Sequence, residues 1–409
     1  MSSSPLVTIV IPVYNRLQFL AFTLDSVLAQ TLADWELIVV DDGSIEDVAG
    51  FIARYSDQRI SCIRQENQGN AAARNFGISE AKGLYVVCLD SDDVWAEDML
   101  ATCVAEFKRN PGVDVVYTQV RRIDALGRVL PGPVTPKPMN GNLLEPLLMG
   151  FPILPSSAMV RRSCFGRWGL YALGLDDWEL WLRWAAKNCT FRCIEQPLLF
   201  YRIHEANFAL NWARRRDIHQ LMLDAFYQMD DLPERALELR KSAYLNQFLW
   251  FAQTAHARGR LEDYGRELYR MLSLAPDLIM DDDFFVTIAC VRTDIRGKQL
   301  EPDLRDFHAC ELQLLTAIDL LFSSGEPDDA LGFSRNEVSG RGYLALGRLA
   351  YSTEGNRRQT TRLLLESFIR WPAVVLRTDW GQWILRALLG KQAVTYIKQR
   401  TERLMTSLT

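Results

Sequence analysis

The segment Asp90-Ser91-Asp92-Asp93 sets three carboxylates in four consecutive positions, directly after the apolar run Leu84-Tyr85-Val86-Val87-Cys88-Leu89. Like charges at that spacing raise one another's pKa, so the cluster is costly unless a cation neutralises it. Hard divalent ions prefer oxygen donors, which makes Mg²⁺ or Mn²⁺ the natural partner. The preceding run is short, rich in β-branched and aromatic residues and follows Gly83, as expected of a strand buried on both faces. Open α/β sheets bind ligands outside the carboxyl ends of their strands, which is where this cluster falls. The competing reading of an isolated D-x-D is a solvated acidic turn that caps the next helix.

Other strand exits supply complementary chemistry. Pro12-Val13-Tyr14-Asn15 leaves the first strand, where Pro12 ends the ladder and Tyr14 offers a flat face for stacking. Asp41-Asp42-Gly43-Ser44 leaves the second, with a carboxylate able to accept from a nucleobase N–H or a ribose hydroxyl. In Asn67-Gln68-Gly69-Asn70-Ala71-Ala72-Ala73-Arg74-Asn75, Gly69 allows close backbone approach, and Arg74 can pair with phosphates or with the acidic cluster. Taken together, these groups outline one pocket for a base, a ribose and a metal-bound diphosphate.

The elements that must position these groups alternate along the first hundred residues. Strands are expected at Val7 to Val13, Glu36 to Val40, Ile60 to Arg64 and Leu84 to Leu89, with helices at Leu17 to Gln30, Glu46 to Tyr55 and Ala71 to Ala81 between them. That order predicts a mostly parallel, Rossmann-like sheet with right-handed crossovers and helices on both faces. Further strands are expected at Val113 to Gln119, Ser157 to Arg161 and Phe191 to Arg202, a loop from Pro131 through Gly141, and a helix from Asp177 to Lys187.

Beyond about Leu210 helical periodicity takes over. Tyr244 to Leu278 carries Gly259 and Pro276, and Tyr343 to Val374 carries Gly355 and Pro372, so the glycine and proline are 17 apart in both. Helix, glycine turn, helix, proline is the pattern of helical-hairpin repeats, with an irregular bundle as the alternative. Ser323 to Gly340 reads as a loop and Leu312 to Phe322 as a buried helix. The expected division is therefore 1–210, an α/β domain with a donor half near 6–120 and an acceptor half near 121–210, and 211–409, an all-α domain.

A net charge of −5 gives no basic footprint for nucleic acid. The eight cysteines are scattered without a zinc-type set, the N-terminus has no signal-type apolar core, and no stretch is long enough to span a bilayer. These features point to a reducing, cytoplasmic setting.

The order PVYN, VVDDGS, NQG-x-x-x-ARN and LDSDD resembles the family-two inverting glycosyltransferases of the GT-A fold, over roughly residues 6 to 208. The resemblance implies transfer of a sugar from a nucleotide-diphosphate donor, UDP by default, with a divalent metal (Mn²⁺ or Mg²⁺) and inversion at the anomeric carbon. It implies Asp92 as metal ligand, with His204 as a second candidate, and Asp90, Ser91 and Asp93 beside it. Donor contacts would come from Pro12, Tyr14, Asn15, Asp41, Asp42, Gly69, Asn70 and Arg74.

Leu175-Asp176-Asp177-Trp178-Glu179-Leu180-Trp181-Leu182-Arg183 resembles the family's E-D-W-D-L-W motif, which makes Asp177 the general base and Asp176, Trp178 and Trp181 its supports. An inverting displacement needs a carboxylate to take the acceptor proton on the face opposite the leaving group. Trp181 and Trp184 follow Asp177 at i+4 and i+7, where their rings would partly desolvate it and stack on sugar. Asp176 stands for the usual Glu, and Glu179 for the second Asp.

No Q-x-x-R-W follows, so single-sugar transfer to a glycan, lipid-linked or other hydroxyl acceptor in cell-surface or exopolysaccharide assembly is expected. A non-catalytic scaffold and a sugar nucleotidyltransferase are the alternatives. For the helical half the sequence leaves peripheral membrane association and homodimerisation open. Trp380, Trp383, Ile384, Leu388 and Leu389 precede Lys391, Lys398 and Arg400, a stripe suited to a membrane surface or to a core.

Overall fold

Strand β1 (Val7–Val13) is buried at every position, as an apolar run covered on both faces must be. Its one polar residue in the middle, Thr8, is satisfied locally: its hydroxyl donates to Glu36 Oε1 at 2.6 Å and accepts from the Gly83 N–H at 2.8 Å. The computed structural model describes residues 4–175, 177–204, 212–289, 292–293, 299–300, 307–323, 331, 333–354, 357–376 and 378–389. These form two compact units, Met1–Ala243 and Tyr244–Thr409. The break expected near residue 210 thus falls inside the first unit, which also takes in the helices up to residue 243.

In the first unit α1 (Leu17–Leu28), β2 (Trp35–Asp42), α2 (Val48–Ile52), β3 (Ile60–Gln65), α3 (Asn70–Glu80), β4 (Tyr85–Cys88) and β5 (Val94–Trp95) follow β1. Then come α4 (Met99–Arg109), β6 (Val115–Ile123), α5 (Leu144–Leu148), β7 (Ala158–Arg161), α6 (Ser163–Trp168), α7 (Asp177–Ala186), β8 (Phe191–Arg202), α8 (Trp212–Tyr227) and α9 (Glu234–Glu238). One sheet holds the eight strands in the order β3-β2-β1-β4-β7-β6-β8-β5. The pairs β1·β2, β1·β4, β2·β3 and β6·β8 are parallel, whereas β7 and β5 run against their neighbours. The mostly parallel α/β sheet expected from the alternating pattern is therefore present.

The two-residue strand β5 lies outside that pattern. It is recruited by pairing with the far end of β8, Val94 opposite Phe200 and Trp95 opposite Leu199. This pairing carries the chain just after the acidic cluster back onto the sheet edge.

The β1–β4 core is closed by helices that approach tightly. A Cβ on Gly77 of α3 would lie 2.3 Å from Val10 Cγ1, so α3 can lie this close to β1 only with hydrogen at that position.

Helix α10 (Arg240–Ala257) spans the boundary, and the second unit continues with α11 (Leu261–Leu274), α12 (Asp282–Ala289), the short pair β9 (Arg292–Thr293) and β10 (Gln299–Leu300), α13 (Phe307–Phe322), α14 (Arg335–Glu354), α15 (Arg357–Arg370) and α16 (Thr378–Leu389). Pro276 and Pro372 each open a short 3₁₀ turn after a helix, α11 and α15 respectively, which gives both segments the helix, helix, proline-turn sequence. Gly355 lies outside the described residues.

The loop expected from Ser323 to Gly340 is corrected, because α14 already begins at Arg335. Gly340 is a contact residue: a Cβ there would fall 2.4 Å from Trp371 Cβ. Trp371, Trp380, Trp383 and Ile384 pack against a core of Leu344, Leu364, Val374 and Ala387, so that aromatic stripe covers its own unit. Lys391, Lys398 and Arg400 lie outside the described residues. Among the described residues no helix is long and apolar enough to cross a membrane.

Gly77→Ala should lower the stability of the first unit by about 1–3 kcal/mol through overpacking. Gly112→Ala, where a Cβ meets nothing within 4 Å, is the control, and thermal melting of the two proteins checks the difference.

Candidate active site

Just after β4, Asp90 and Asp92 pair with basic side chains, whereas Asp93 is held by a main-chain N–H. Asp90 Oδ1 accepts from Arg74 Nη2 of α3 at 2.6 Å. Asp92 Oδ2 accepts from Arg16 Nη1 at 2.5 Å and lies 2.9 Å from His204 Nε2. Asp93 Oδ1 accepts the Arg202 N–H at 3.1 Å, and Arg202 Nε donates to the Asp92 carbonyl at 2.8 Å. Arg202 is buried, its guanidinium lying 5.3 Å from the Phe19 ring and 5.1 Å from that of Phe22. Burial first, then the charges of Asp92 and Asp90, hold the Asp93 carboxyl well above the usual carboxylate range.

The exits of β1 and β2 are stitched together. Asn15 takes a positive φ of 50°; its N–H donates to Ser44 Oγ at 3.1 Å, and its Oδ1 accepts the Ile45 N–H at 2.8 Å. Tyr14, beside it, is half exposed and Pro12 is buried in β1. Asp41 accepts the Ser44 N–H at 2.8 Å and pairs with Arg64. Asp42 accepts from Gln65 Nε2 at 2.7 Å and from the N–H groups of Gln68 and Gly69, both at 2.9 Å.

Both carboxylates are buried and spend these bonds on shaping the turns around them. Gly69 has φ 89°, a conformation that demands glycine, and a Cβ there would meet nothing within 4 Å. Open space therefore adjoins the start of α3, where Asn70 is exposed.

Arg74 is 5% exposed and stacks 5.2 Å over the ring of Tyr171, itself buried. Its charge is sustained against burial by Asp90 first, then by Tyr171 and Asp177. The guanidinium thus pairs with the acidic cluster through Asp90 and lies within electrostatic reach of Asp177, the first residue of α7. Of the two roles open to Arg74 from sequence, pairing with the cluster is the one seen. Asp176 lies outside the described residues.

The tryptophans of α7 require a correction. Trp181 and Trp184 are 1% and 0% exposed, so neither ring has a face for a sugar. Their Nε1 atoms donate to the carbonyls of Ile153 at 3.0 Å and Gly169 at 3.2 Å, binding neighbouring loops to the helix. Trp178 is part-buried, donates to the Leu147 carbonyl at 2.9 Å and meets His219 edge-on. A helix whose i+4 and i+7 positions face a core buries those residues whatever their chemistry.

Four contributors escaped the sequence reading: Arg16, Arg202, Tyr171 and Asn75. The two arginines stand next to motif residues, Arg16 after Asn15 and Arg202 two positions before His204, a signal that adjacency could have supplied. Tyr171 sits in a loop without pattern.

A divalent ion is a good fit to part of this geometry. Ligands on neighbouring corners of an octahedron with bonds of about 2.1 Å lie about 3 Å apart, which matches the 2.9 Å between Asp92 Oδ2 and His204 Nε2. Among the described residues no three His, Cys, Asp or Glu side chains form a metal set. Two protein donors completed by substrate phosphates and water is an ordinary arrangement for such ions.

Residues 8–165 match the family described as Glycosyl transferase family 2. An uncharacterized glycosyltransferase of Rickettsia bellii is 31% identical over 186 residues, 44% of this chain and 26% of the relative. Two further Rickettsia relatives are covered to 30%, so this chain spans between a quarter and a third of their length. An Escherichia coli relative named UDP-Glc:alpha-D-GlcNAc-diphosphoundecaprenol beta-1,3-glucosyltransferase WfgD is 28% identical over 213 residues, 50% of this chain and 80% of the relative. In fold, Staphylococcus aureus TarS 1–349, solved with UDP-GlcNAc, aligns with a TM-score of 0.55 and 13% identity over 78% of this chain and 91% of its own.

Asp93→Asn should preserve the Arg202 contact while removing the raised carboxyl. The folded state keeps this proton and the unfolded chain releases it near 3.8, so the parent's stabilisation is complete below that pH and is lost as pH rises toward the folded pKa. The variant is expected to melt higher than the parent at pH 8, by about 2–4 °C per kcal/mol relieved, with the difference vanishing near pH 4. Melting curves across that range check it.

Proposed function

We propose that this chain, whose residues 8–165 belong to glycosyltransferase family 2, moves a sugar from a nucleotide-diphosphate donor to a hydroxyl acceptor with inversion at the anomeric carbon. The observation that carries the reading is the position of buried Arg74, which touches Asp90 and feels the charge of Asp177. Asp90 of the acidic cluster, suited to a metal-bound diphosphate, and Asp177, suited to proton abstraction, thereby both act on one guanidinium. The first does so by a hydrogen bond and the second through its charge.

In this reading the half-exposed ring of Tyr14 stacks on the base. Asp41 and Asp42, with Pro12 and Asn15, shape the base and ribose subsite through the turns they hold. The open start of α3, at Gly69 and Asn70, admits the diphosphate, and Asp90 and Ser91 line its far side. Asp92 and His204 hold a divalent ion, imidazole favouring Mn²⁺ over Mg²⁺. When bound, that ion neutralises the charge gathering on the departing nucleoside diphosphate. Asp177 accepts the acceptor hydroxyl's proton as that oxygen attacks the anomeric carbon from the face opposite the leaving group.

UDP is the default nucleotide, with a glycan or lipid-linked hydroxyl as acceptor. UDP-glucose with a GlcNAc-diphosphoundecaprenol acceptor, the pair named for the Escherichia coli relative, is the first combination to try. A single addition in cell-surface or exopolysaccharide assembly, at the cytoplasmic face of the membrane, fits this chemistry.

Asp177→Asn is expected to lower kcat by about 10²–10⁴-fold while leaving nucleotide affinity nearly unchanged. Transfer assays and calorimetry with UDP measure the two; near-normal transfer would remove Asp177 as the base. Release of pyrophosphate in place of nucleoside diphosphate would point to a nucleotidyltransferase, and release of neither to a scaffold. His204→Ala should weaken Mn²⁺ binding in a direct titration, since it removes one of two protein donors.

A further inference from the structure

Residues 169–175 precede the base on α7, and their start is held from two sides. From α7 itself, Arg183 Nη2 donates to the Leu170 carbonyl at 2.7 Å and Nη1 to that of Trp168, with Glu179 Oε1 holding the same guanidinium at 2.7 Å. From α3, Asn75 Nδ2 donates to the Tyr171 carbonyl at 2.8 Å and Asn75 Oδ1 accepts the Tyr171 N–H at 3.0 Å.

Those two bonds satisfy both main-chain groups of one loop residue with one side-chain amide, 96 positions away in sequence. The Tyr171 ring then lies under Arg74, the neighbour of Asn75 on α3. Beyond Tyr171, Leu173 is exposed, Gly174 takes φ 80° and the Leu175 N–H donates to the Ala172 carbonyl at 3.3 Å. The grip on Tyr171 thus ties this segment to α3 six residues before the base.

We infer that Asn75 is a positioning residue for transfer: by clamping the main chain of Tyr171 to α3, it fixes where Asp177 stands relative to the donor subsite. The inference rests on Asp177 being the base. It assigns to Asn75 no contact with donor or acceptor. Misplacement of a reacting group by about 1 Å can cost on the order of 10²-fold in rate, so the clamp acts on kcat rather than on donor binding.

The test pairs Asn75→Ala with Asn75→Asp, the second being isosteric and retaining an acceptor for the Tyr171 N–H while losing the donor to its carbonyl. Both are expected to lower kcat, by about 10–100-fold for alanine and about tenfold for aspartate, with the UDP dissociation constant and donor KM within about twofold of the parent. In an Asp177→Asn background, Asn75→Ala should cause no further loss, since it acts only through the group already removed.

Folded Asn75→Asp protein with kcat within twofold of the parent overturns the inference. So does an equal loss on top of Asp177→Asn, or a loss carried by UDP affinity. Full transfer by Asp177→Asn alone instead removes the base assignment, whatever the Asn75 variants do. The two failures are therefore told apart.

Discussion

Three carboxylates in four residues at the end of a buried strand repel one another in a medium that screens poorly, and most of the first unit is arranged around that fact. The basic partners come from separate places: Arg74 from α3, Arg16 from the turn before α1, and Arg202 and His204 from the end of β8. Each brings its own element to the same end of the sheet. The cluster consequently adds polar ties between β8 and the β1–β4 core to those made by strand pairing and by the apolar core that Trp95, Leu198 and Leu199 share with β1 and β4. Burial first, then its neighbours' charges, push the Asp93 carboxyl well above the usual carboxylate range.

The same arrangement has a chemical consequence. Asp92 carries Arg16 and His204 on a single oxygen, so two basic side chains share the charge of one carboxylate. Arg74 differs, because it is buried between Asp90 and the Tyr171 ring and its role is fixed by packing as much as by charge. Tryptophans that by composition suggest sugar stacking are instead the pins that hold α7 against the loops around it.

Much of this was legible in the chain. The alternation of short apolar runs with amphipathic stretches gave the order of strands and helices, because covering both faces of a parallel sheet demands it. The strand exits were marked by residues with poor strand propensity, Pro12, Asp41, Asp42 and Asp90, so the groups of the site could be collected at one edge before any coordinate was known. Less legible were residues acting at long range. Asn75 closes the NQG-x-x-x-ARN motif, but nothing local says that its amide grips a main chain 96 positions away, and Tyr171 belongs to no pattern. In the second unit Gly340, which reads as a loop residue, is a site of close packing against Trp371, while Gly259 is a turn glycine as it reads, since a missing side chain signals either closeness or freedom.

By itself, then, the sequence determined the α/β class of the first unit, the helical class of the second and the chemical inventory at the strand ends, because each depends on local pattern and residue type. Only the tertiary structure decided which cation meets which carboxylate, that Asp41 and Asp42 hold turns, that Trp181 and Trp184 are core, and that α3 grips the segment leading to Asp177. These are contacts between residues tens of positions apart, and their pairing is set by how the sheet closes and what it buries.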